Sequence, residues 1–472
     1  MKMAGTKTDK TELFARMPVG KALFTMAVPT IISQVINLIY NVVDTFFIGR
    51  TGNSYMMAAT TVTLAIMLMN ISFANLFGIG GGSHMARLMG AGKGDEARSV
   101  SAFSAYGTVC IAILYSLLIG VFMNPILRVL GASDQTIGYA RSYATLVIVI
   151  GTLPTLFSMV LAHLLRNAGY SLQASLGLSG GGILNMVLDP LFMFVILPKG
   201  MEVTGAAAAT LLSNTIACLY LIYAYRKASA SAPLSLRLGD ARSISSKNLG
   251  RLFAVGIPSA VLTGLFDIAN MCVNMIAASH NDLVLAAIGI TIKVERLPNA
   301  INVGICQGML PIVAFNYSSG DHERMKKVIS TGRAAGLTVA LSCMLLFQIF
   351  AKPFSGIFLS TASEHAETAL MTLAYAELFL RIRSVASPVQ FMNYHASYCM
   401  QAMGNGRGTL LHAFIRELVI YIPLMFLLDK VFGETGLAAA LPVGEALSAV
   451  ISFYLLHKTV QKAHLKKPKA VA

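Results

Sequence analysis

The sequence predicts an all-α polytopic membrane protein, with twelve transmembrane helices in two six-helix bundles related as parallel repeats. Three observations carry that prediction. Of 472 residues, 56% are hydrophobic and only 12% are charged, about half the charged share (~25%) of a soluble domain. Apolar stretches of twenty or more residues recur from end to end, each long enough to cross a ~30 Å hydrocarbon core as a helix. Two distant segments also repeat each other, GIGGGSHMARLMGAGKGDEAR from Gly78 and GICQGMLPIVAFNYSSGDHER from Gly304.

Apolar runs, turn signals and charge clusters predict spans over 22–48, 54–80, 98–123, 135–164, 171–197, 203–225, 248–280, 284–313, 328–350, 364–402, 408–430 and 435–457. The tenth is too long for a straight crossing and is expected to begin with an interfacial segment. Residues 1–21 form a polar cytoplasmic segment without the short apolar core and small-residue cleavage site of a signal peptide. Residues 22–226 make the first bundle, 227–247 a Ser-rich basic linker, 248–457 the second bundle and 458–472 a basic tail. At one fixed offset, Gly78, Ile79 and Gly82 match Gly304, Ile305 and Gly308, and Gly94, Asp95 and Arg98 match Gly320, Asp321 and Arg324. Pro29 aligns with Pro258 near the start of each bundle. Six spans per unit send both repeats into the membrane in the same direction, a pattern found in transporters that hold substrate between their halves.

Sorting Lys and Arg onto alternate sides gives twenty-five on the side of the termini, six on the other and five within spans. That bias places both termini in the cytoplasm of a plasma (inner) membrane protein. It also accounts for the net charge of +15 without a nucleic-acid partner. Cys110, Cys218, Cys272, Cys306, Cys343 and Cys399 lie singly in apolar segments, so neither a zinc site nor a disulfide framework is expected, and each reads as a small buried apolar residue. The glycines around residue 80 follow a helix and lack a GK[ST] sequel, which excludes a phosphate loop. They are expected to permit close helix contact or a sharp turn. No Ser/His/Asp set and no HExxH motif appears, so the chain does not read as an enzyme, and no cofactor is implied.

The carboxylates inside the spans are the informative residues. In INLIYNVVDTFFIGR, Asn37, Asn41 and Asp44 recur at i, i+4, i+7 and share one helix face. Asn185 and Asp189 in NMVLDP are again four apart, as are Thr210 and Asn214 in span six. Asp44 lies roughly 9 Å below the outer Arg50, and Asp189 at most roughly 15 Å below Lys199, at ~1.5 Å per residue. The two can therefore meet in the outer half of the membrane. No Lys or Arg lies in the membrane interior of spans one to six, and a carboxylate at such depth costs ~2.5–3.5 kcal/mol. Three outcomes relieve the cost: uptake of a proton, binding of a small cation in an oxygen cage, or exposure to a wet cavity that attracts a cationic substrate. Pro190 removes one backbone hydrogen bond and frees a carbonyl near residue 186. Asn37 and Asn41 are candidates for the cavity wall. In the second half, five interior cations face Asp267, Glu295, Glu377, Glu417 and Glu445. Glu377 and Arg381 are four apart, Glu295 adjoins Arg296 and Glu417 adjoins Arg416, so structural ion pairs are expected. Asp44 corresponds to Val273 and Asp189 to Ile422, which makes the carboxylate site a feature of the first half. A helix-fastening role for Asp189 is the competing reading.

The sequence resembles the multidrug and toxic compound extrusion (MATE) family over nearly its whole length. The resemblance rests on PTIISQVINLIYNVVDTFFIGRTG, RNAGYS, NMVLDPLF, TGAAAATLLSN and QGMLPIVAFNYSSGDHERMKKVI. It implies two bundles that open alternately and a secondary antiporter that exports organic cations or drugs in exchange for H⁺ or Na⁺. It also implies a cation site at the positions of Asp44, Asn185, Asp189 and Thr210, which Na⁺ could occupy. Some members use a seventh-helix carboxylate, and Asp267 lies near that position; with Glu295 it forms the candidate second-half site. The expected partners are a small organic cation and the lipid bilayer, with the chain acting as a monomer. The alternative from the same superfamily is a flippase for an anionic lipid-linked saccharide, which would need Lys293, Arg296, Arg381 and Arg383 facing the cavity.

Overall fold

The computed structural model describes residues 10–357 and 366–465. The first half contains α1 (Lys10–Ala15), α2 (Val19–Gly49), α3 (Ser54–Gly90), α4 (Gly94–Val121), α5 (Met123–Val129), α6 (Ile137–Ala144), α7 (Thr152–Asn167), α8 (Ser171–Leu191) and α9 (Glu202–Ala228). A short helix, α10 (Leu238–Arg242), lies in the connection. The second half contains α11 (Ser246–His280), α12 (Asp282–Ser319), α13 (His322–Gly356), α14 (Ala366–Ser384), α15 (Ser387–Ala402), α16 (Gly406–Phe414) and α17 (Ile422–Leu465). Wider π-turns occupy Thr145–Ile150, Phe192–Ile196 and Ile415–Tyr421. The long helices start where a side chain caps a free N–H: the Asn53, Asn281 and Asp321 oxygens accept from Tyr55, Val284 and Arg324, which satisfies donors the helix leaves open.

Among the described residues nine helical stretches are long and apolar enough to cross a membrane. A tenth, α6 with its π-turn and α7, qualifies as a pair bent by 46°. The last of the nine, Gly406–Ala463, has 58 residues, far more than one crossing needs. It breaks at Gly433, whose φ of 61° and ψ of −145° suit only a residue without Cβ. That break makes it two passes, and α14 with α15 supplies the remaining one. Among the described residues twelve passes in two sets of six result, with Lys10 and Leu465 on one face, here the terminal face. α14 packs against α12, α13 and α17, with Phe379 and Leu380 fully buried in its last turns, while its start from Glu367 to Met371 is mostly exposed. Residues 364 and 365 of the expected tenth span lie outside the described residues. One correction concerns the cysteines: all six are free, but only Cys218, Cys306 and Cys399 are buried, while Cys110 is exposed. A helix on the rim of a membrane bundle leaves apolar side chains uncovered by protein.

The halves grip each other through glycines. α12 lies on α2 where Gly308 meets the Ala27 backbone and Gly304 meets Ile31, and α3 lies on α11 where Gly80 meets Gly256. Exchanging the repeats turns one contact into the other, because span one meets span eight as span seven meets span two. Small residues allow this backbone approach. The hydrogen bonds between the halves run from mid-membrane, where Asn75 donates to Thr263 (2.8 Å), to the terminal face. There His84 pairs with Asn248 (3.1 Å), Arg87 donates to the Gln401 and Ala402 carbonyls (3.0 and 3.1 Å) and Arg166 donates to Gln307 (3.2 Å). Beyond Asn75 no hydrogen bond joins the halves toward the opposite face among the described residues. The connection between the halves is pinned rather than loose. Tyr106 donates to the Leu236 carbonyl, the Ser235 N–H donates to Ser101, and Ser99 and Ser243 share a hydrogen bond.

Candidate functional site

α2 and α8 run side by side in the same direction. Gly182 of α8 gives the room: the Tyr40 and Ile36 side chains and Asn37 Oδ1 sit where its Cβ would project. One turn further along α2 comes Asp44, and one and two turns further along α8 come Asn185 and Asp189. The i, i+4 spacing thus delivers these side chains to one level. α9 closes the site, and its Gly205 lets it lie against the π-turn that follows Pro190.

The structure brings Asn185, Asp189 and Thr210 together. The Asn185 amide donates to Asp189 Oδ1 (3.0 Å) and to Thr210 Oγ1 (3.3 Å). Asp189 is completely buried, and Asn185 and Thr210 are nearly so. Asp44 is half-buried and close enough to Asp189 for the two charges to interact. No Lys or Arg pairs with either carboxylate among the described residues. Oδ1 of Asp44, Oδ2 of Asp189 and Oδ1 of Asn185 are buried acceptors without a donor. Three open oxygens around two unpaired carboxylates form a site for something positive. Such groups are costly to bury unless a proton or a cation satisfies them.

Asn37 and Asn41 separate. Asn37 is half-buried against α8, while Asn41 is exposed, its amide donating back to the Asn37 carbonyl (2.6 Å). Asn214, four residues after Thr210, donates to Thr155 of α7 (2.9 Å). Pro190 stands one residue before the end of α8, and the helix widens into its π-turn two residues later. Two residues escaped the sequence reading. Tyr40 and Tyr143 both lie within electrostatic range of Asp44 and Asp189. Tyr40 carried a signal, four residues before Asp44 on the same face. Tyr143 carried none, because a lone tyrosine in an apolar span shows no pattern.

In the second half, Arg381 pairs with Glu377 (2.9 Å) as expected. Glu295 does not pair with its neighbour Arg296. It takes a two-pronged bond from Arg383 of α14 (3.0 and 2.9 Å), because adjacent helical residues point ~100° apart. Arg416 touches Glu417 (3.3 Å) but bonds more fully to Glu445. Asp267 is half-buried and feels the charge of Arg296. Lys293 and Arg296 are exposed and make no ion pair among the described residues. They lie eleven residues before Gly304 and Gln307, which touch the first half, so their stripe of α12 is the one turned toward the first half.

Comparison with known proteins agrees with this architecture. A model of the MatE family matches residues 29–197 and again residues 258–427. The multidrug export protein MepA of Staphylococcus saprophyticus is 29% identical over 465 residues, 97% of this chain and 99% of that protein. A MATE crystallised in complex with MaL6 superposes with a TM-score of 0.90 at 21% identity, covering 98% of this chain and 100% of that one. A multidrug resistance MATE family transporter of the MOP superfamily, in its outward-facing conformation, gives 0.89 at 21% identity over 98% and 100% of the two chains. The structural likenesses show the shared fold, and the family match recurs once in each half, over most of the sequence: the chain belongs to the MatE family.

Proposed function

We propose that the protein is a secondary active antiporter that exports organic cations or drugs in exchange for H⁺ or Na⁺. The coupling cation binds at Asp44, Asn185, Asp189 and Thr210. The observation that carries this reading is the buried Asn185–Asp189–Thr210 network, with its open acceptors and its second carboxylate at Asp44. The export names of similar proteins support it. The terminal face is cytoplasmic, in the inner membrane, and the bundles 22–226 and 248–457 act as the two moving bodies of a monomer. The anionic-lipid flippase fits less well, because Arg381 and Arg383, two of the cations it would need free, are engaged by Glu377 and Glu295.

In the outward-facing state the cation enters between α2, α8 and α9 and neutralises the carboxylates. α8 repacks around the π-turn after Pro190, and the drug loses affinity and leaves outward. The halves then part at their glycine contacts, and the cation is released to the cytoplasm. Coupling requires that cation and drug favour different states, since equal affinity would shift nothing.

The test is accumulation of a fluorescent organic cation in bacteria stripped of their own pumps. Empty cells, wild type and Asp189→Asn are compared at equal membrane expression. Wild type alone should lower the dye, and replacing Na⁺ by K⁺ then identifies the ion. Equal pumping by wild type and Asp189→Asn would make Asp189 structural and overturn the coupling site.

A further inference from the structure

The second half contains a buried charge cluster that the transport cycle above does not use. Arg416 and Glu417 stand on the π-turn Ile415–Tyr421, Glu445 on α17 and Asn393 on α15. They are 4%, 1%, 3% and 0% exposed. Arg416 Nε donates to Glu445 Oε2 (3.2 Å) and its second amino group to Oε1. The Asn393 amide donates to Glu445 Oε2 (2.6 Å) and to Ser448 Oγ (2.8 Å). The guanidinium also stacks over the Tyr394 ring, 5.0 Å from its centre. Glu417 is less well served. Its Oε1 lies 3.3 Å from Arg416 without the geometry of a hydrogen bond, and it is buried.

Charge counting gives the result. Two carboxylates face one guanidinium, so with both ionised the pocket carries one uncompensated negative charge in the membrane interior, where such a charge is costly. No neighbour removes it. Arg383 is already neutralised by Glu295, and it also engages the Tyr421 hydroxyl. The His412 Nδ1 bonds to Ser397 (2.9 Å) and its Nε2 is buried without a partner. An imidazolium there would be a bare charge beside Arg416. On the α11 side the small cavity next to Glu417 is lined by Phe266, Tyr421, Leu441 and Gly444, with no further cation. One further atom marks the deficit: Asn393 Oδ1, like Glu417 Oε1, is a buried acceptor with no donor.

We propose that Glu417 and Glu445 hold one shared proton, which makes this cluster a second proton-binding site, in the second half of the chain. A proton fits and a metal ion does not. Arg416 occupies both oxygens of Glu445 and touches Glu417, so a sodium ion would sit against the guanidinium. The location has a counterpart in the first half. Asn185 lies five residues before Pro190 and Glu417 six before Pro423, and each faces the next span, through Thr210 in one case and Glu445 in the other. The two repeats thus place a buried polar cluster between equivalent helices but build it from different residues. The site stands on burial and charge alone, and it does not depend on the antiport reading.

Infrared difference spectroscopy on the full chain in lipid, read in H₂O and D₂O, detects the carbonyl band of a protonated carboxyl group. The background is Asp44→Asn/Asp189→Asn, which silences the first-half pair. At neutral pH that variant should keep a deuterium-sensitive carboxylic-acid band. Adding either Glu417→Gln or Glu445→Gln should remove the amplitude of one carboxyl, because each leaves Arg416 with a single balancing carboxylate. Each substitution alone decides the question, so a poorly folded sample of one, detected by size-exclusion elution, leaves the other to give the answer. A background with no such band, or a band that survives both substitutions, overturns the proposal.

Discussion

Replacing Gly308 by alanine tests whether the glycine contact between the halves sets the balance between conformations. A Cβ at Gly308 would stand 2.6 Å from Cα and 2.7 Å from N of Ala27. Those are backbone atoms, so the clash is relieved only if α12 and α2 move apart. Overpacking of this kind costs ~1–3 kcal/mol, and the better helix propensity of alanine acts in open and closed states alike and cancels. The differential penalty centres on about 2 kcal/mol, a factor of about thirty in population. It falls only on states in which the halves stay closed at the terminal face. Spin labels at the exposed positions Ala91 and Lys327, on a background with the six cysteines replaced, report the separation by double electron–electron resonance. The ratio of long-distance to short-distance populations should rise about thirty-fold in Gly308→Ala. Gly180→Ala is the control, because its Cβ would meet nothing within 4 Å. An unchanged distance distribution in Gly308→Ala, or an equal shift in Gly180→Ala, would refute the reasoning.

Two further outcomes are expected. Arg383→Met leaves Glu295 as an unpaired carboxylate that is 13% exposed, and breaking such a pair costs ~3–5 kcal/mol. Thermal stability in detergent should fall sharply and largely return in Arg383→Met/Glu295→Leu; a double variant no better than the single one would contradict the ion-pair account. At the terminal face, Glu96 is held below the usual carboxylate range, first by its hydrogen bond from Lys93 and then by that from Asn248. A depressed carboxyl contributes stability above its unfolded value and loses it as pH falls through the folded one. Thermal stability should therefore decline on acidification below the ordinary carboxylate range. Glu96→Gln should flatten part of that decline, a small part because solvent screens the pair; an unaltered slope would remove Glu96 from the explanation.

The legibility of this chain divides along the range of the interactions. Spans were readable because a membrane crossing is a local requirement of length and hydropathy, and α2, α8, α9 and α11 follow the expected limits closely, while α3 starts as expected but runs on from residue 80 to Gly90. The partners of the α14 charges were not legible, because Arg383 is engaged by Glu295 of α12 and Arg381 by the Gln348 carbonyl of α13, which no local window contains. The same division runs through the sites. Asn185 and Asp189 share a helix face, so their meeting was legible, and the open acceptors followed from the lack of a basic residue in those spans. Glu295 beside Arg296 looked like the same kind of information but was not: adjacency on a helix separates side chains, and the true partner, Arg383, is 88 residues away. Glu445 and Arg416 met in the same hidden way. The comparison of Asp44 with Val273 and Asp189 with Ile422 puts no carboxylate at the matching positions, and the second half does hold ion pairs at Arg381, Arg383 and Arg416, though two of them reach across helices. The repeats share the place between spans five and six, or eleven and twelve, where a buried charge is tolerated. Selection can fill that place with different residues, because backbone geometry makes the pocket and only the balance of charge inside it is constrained.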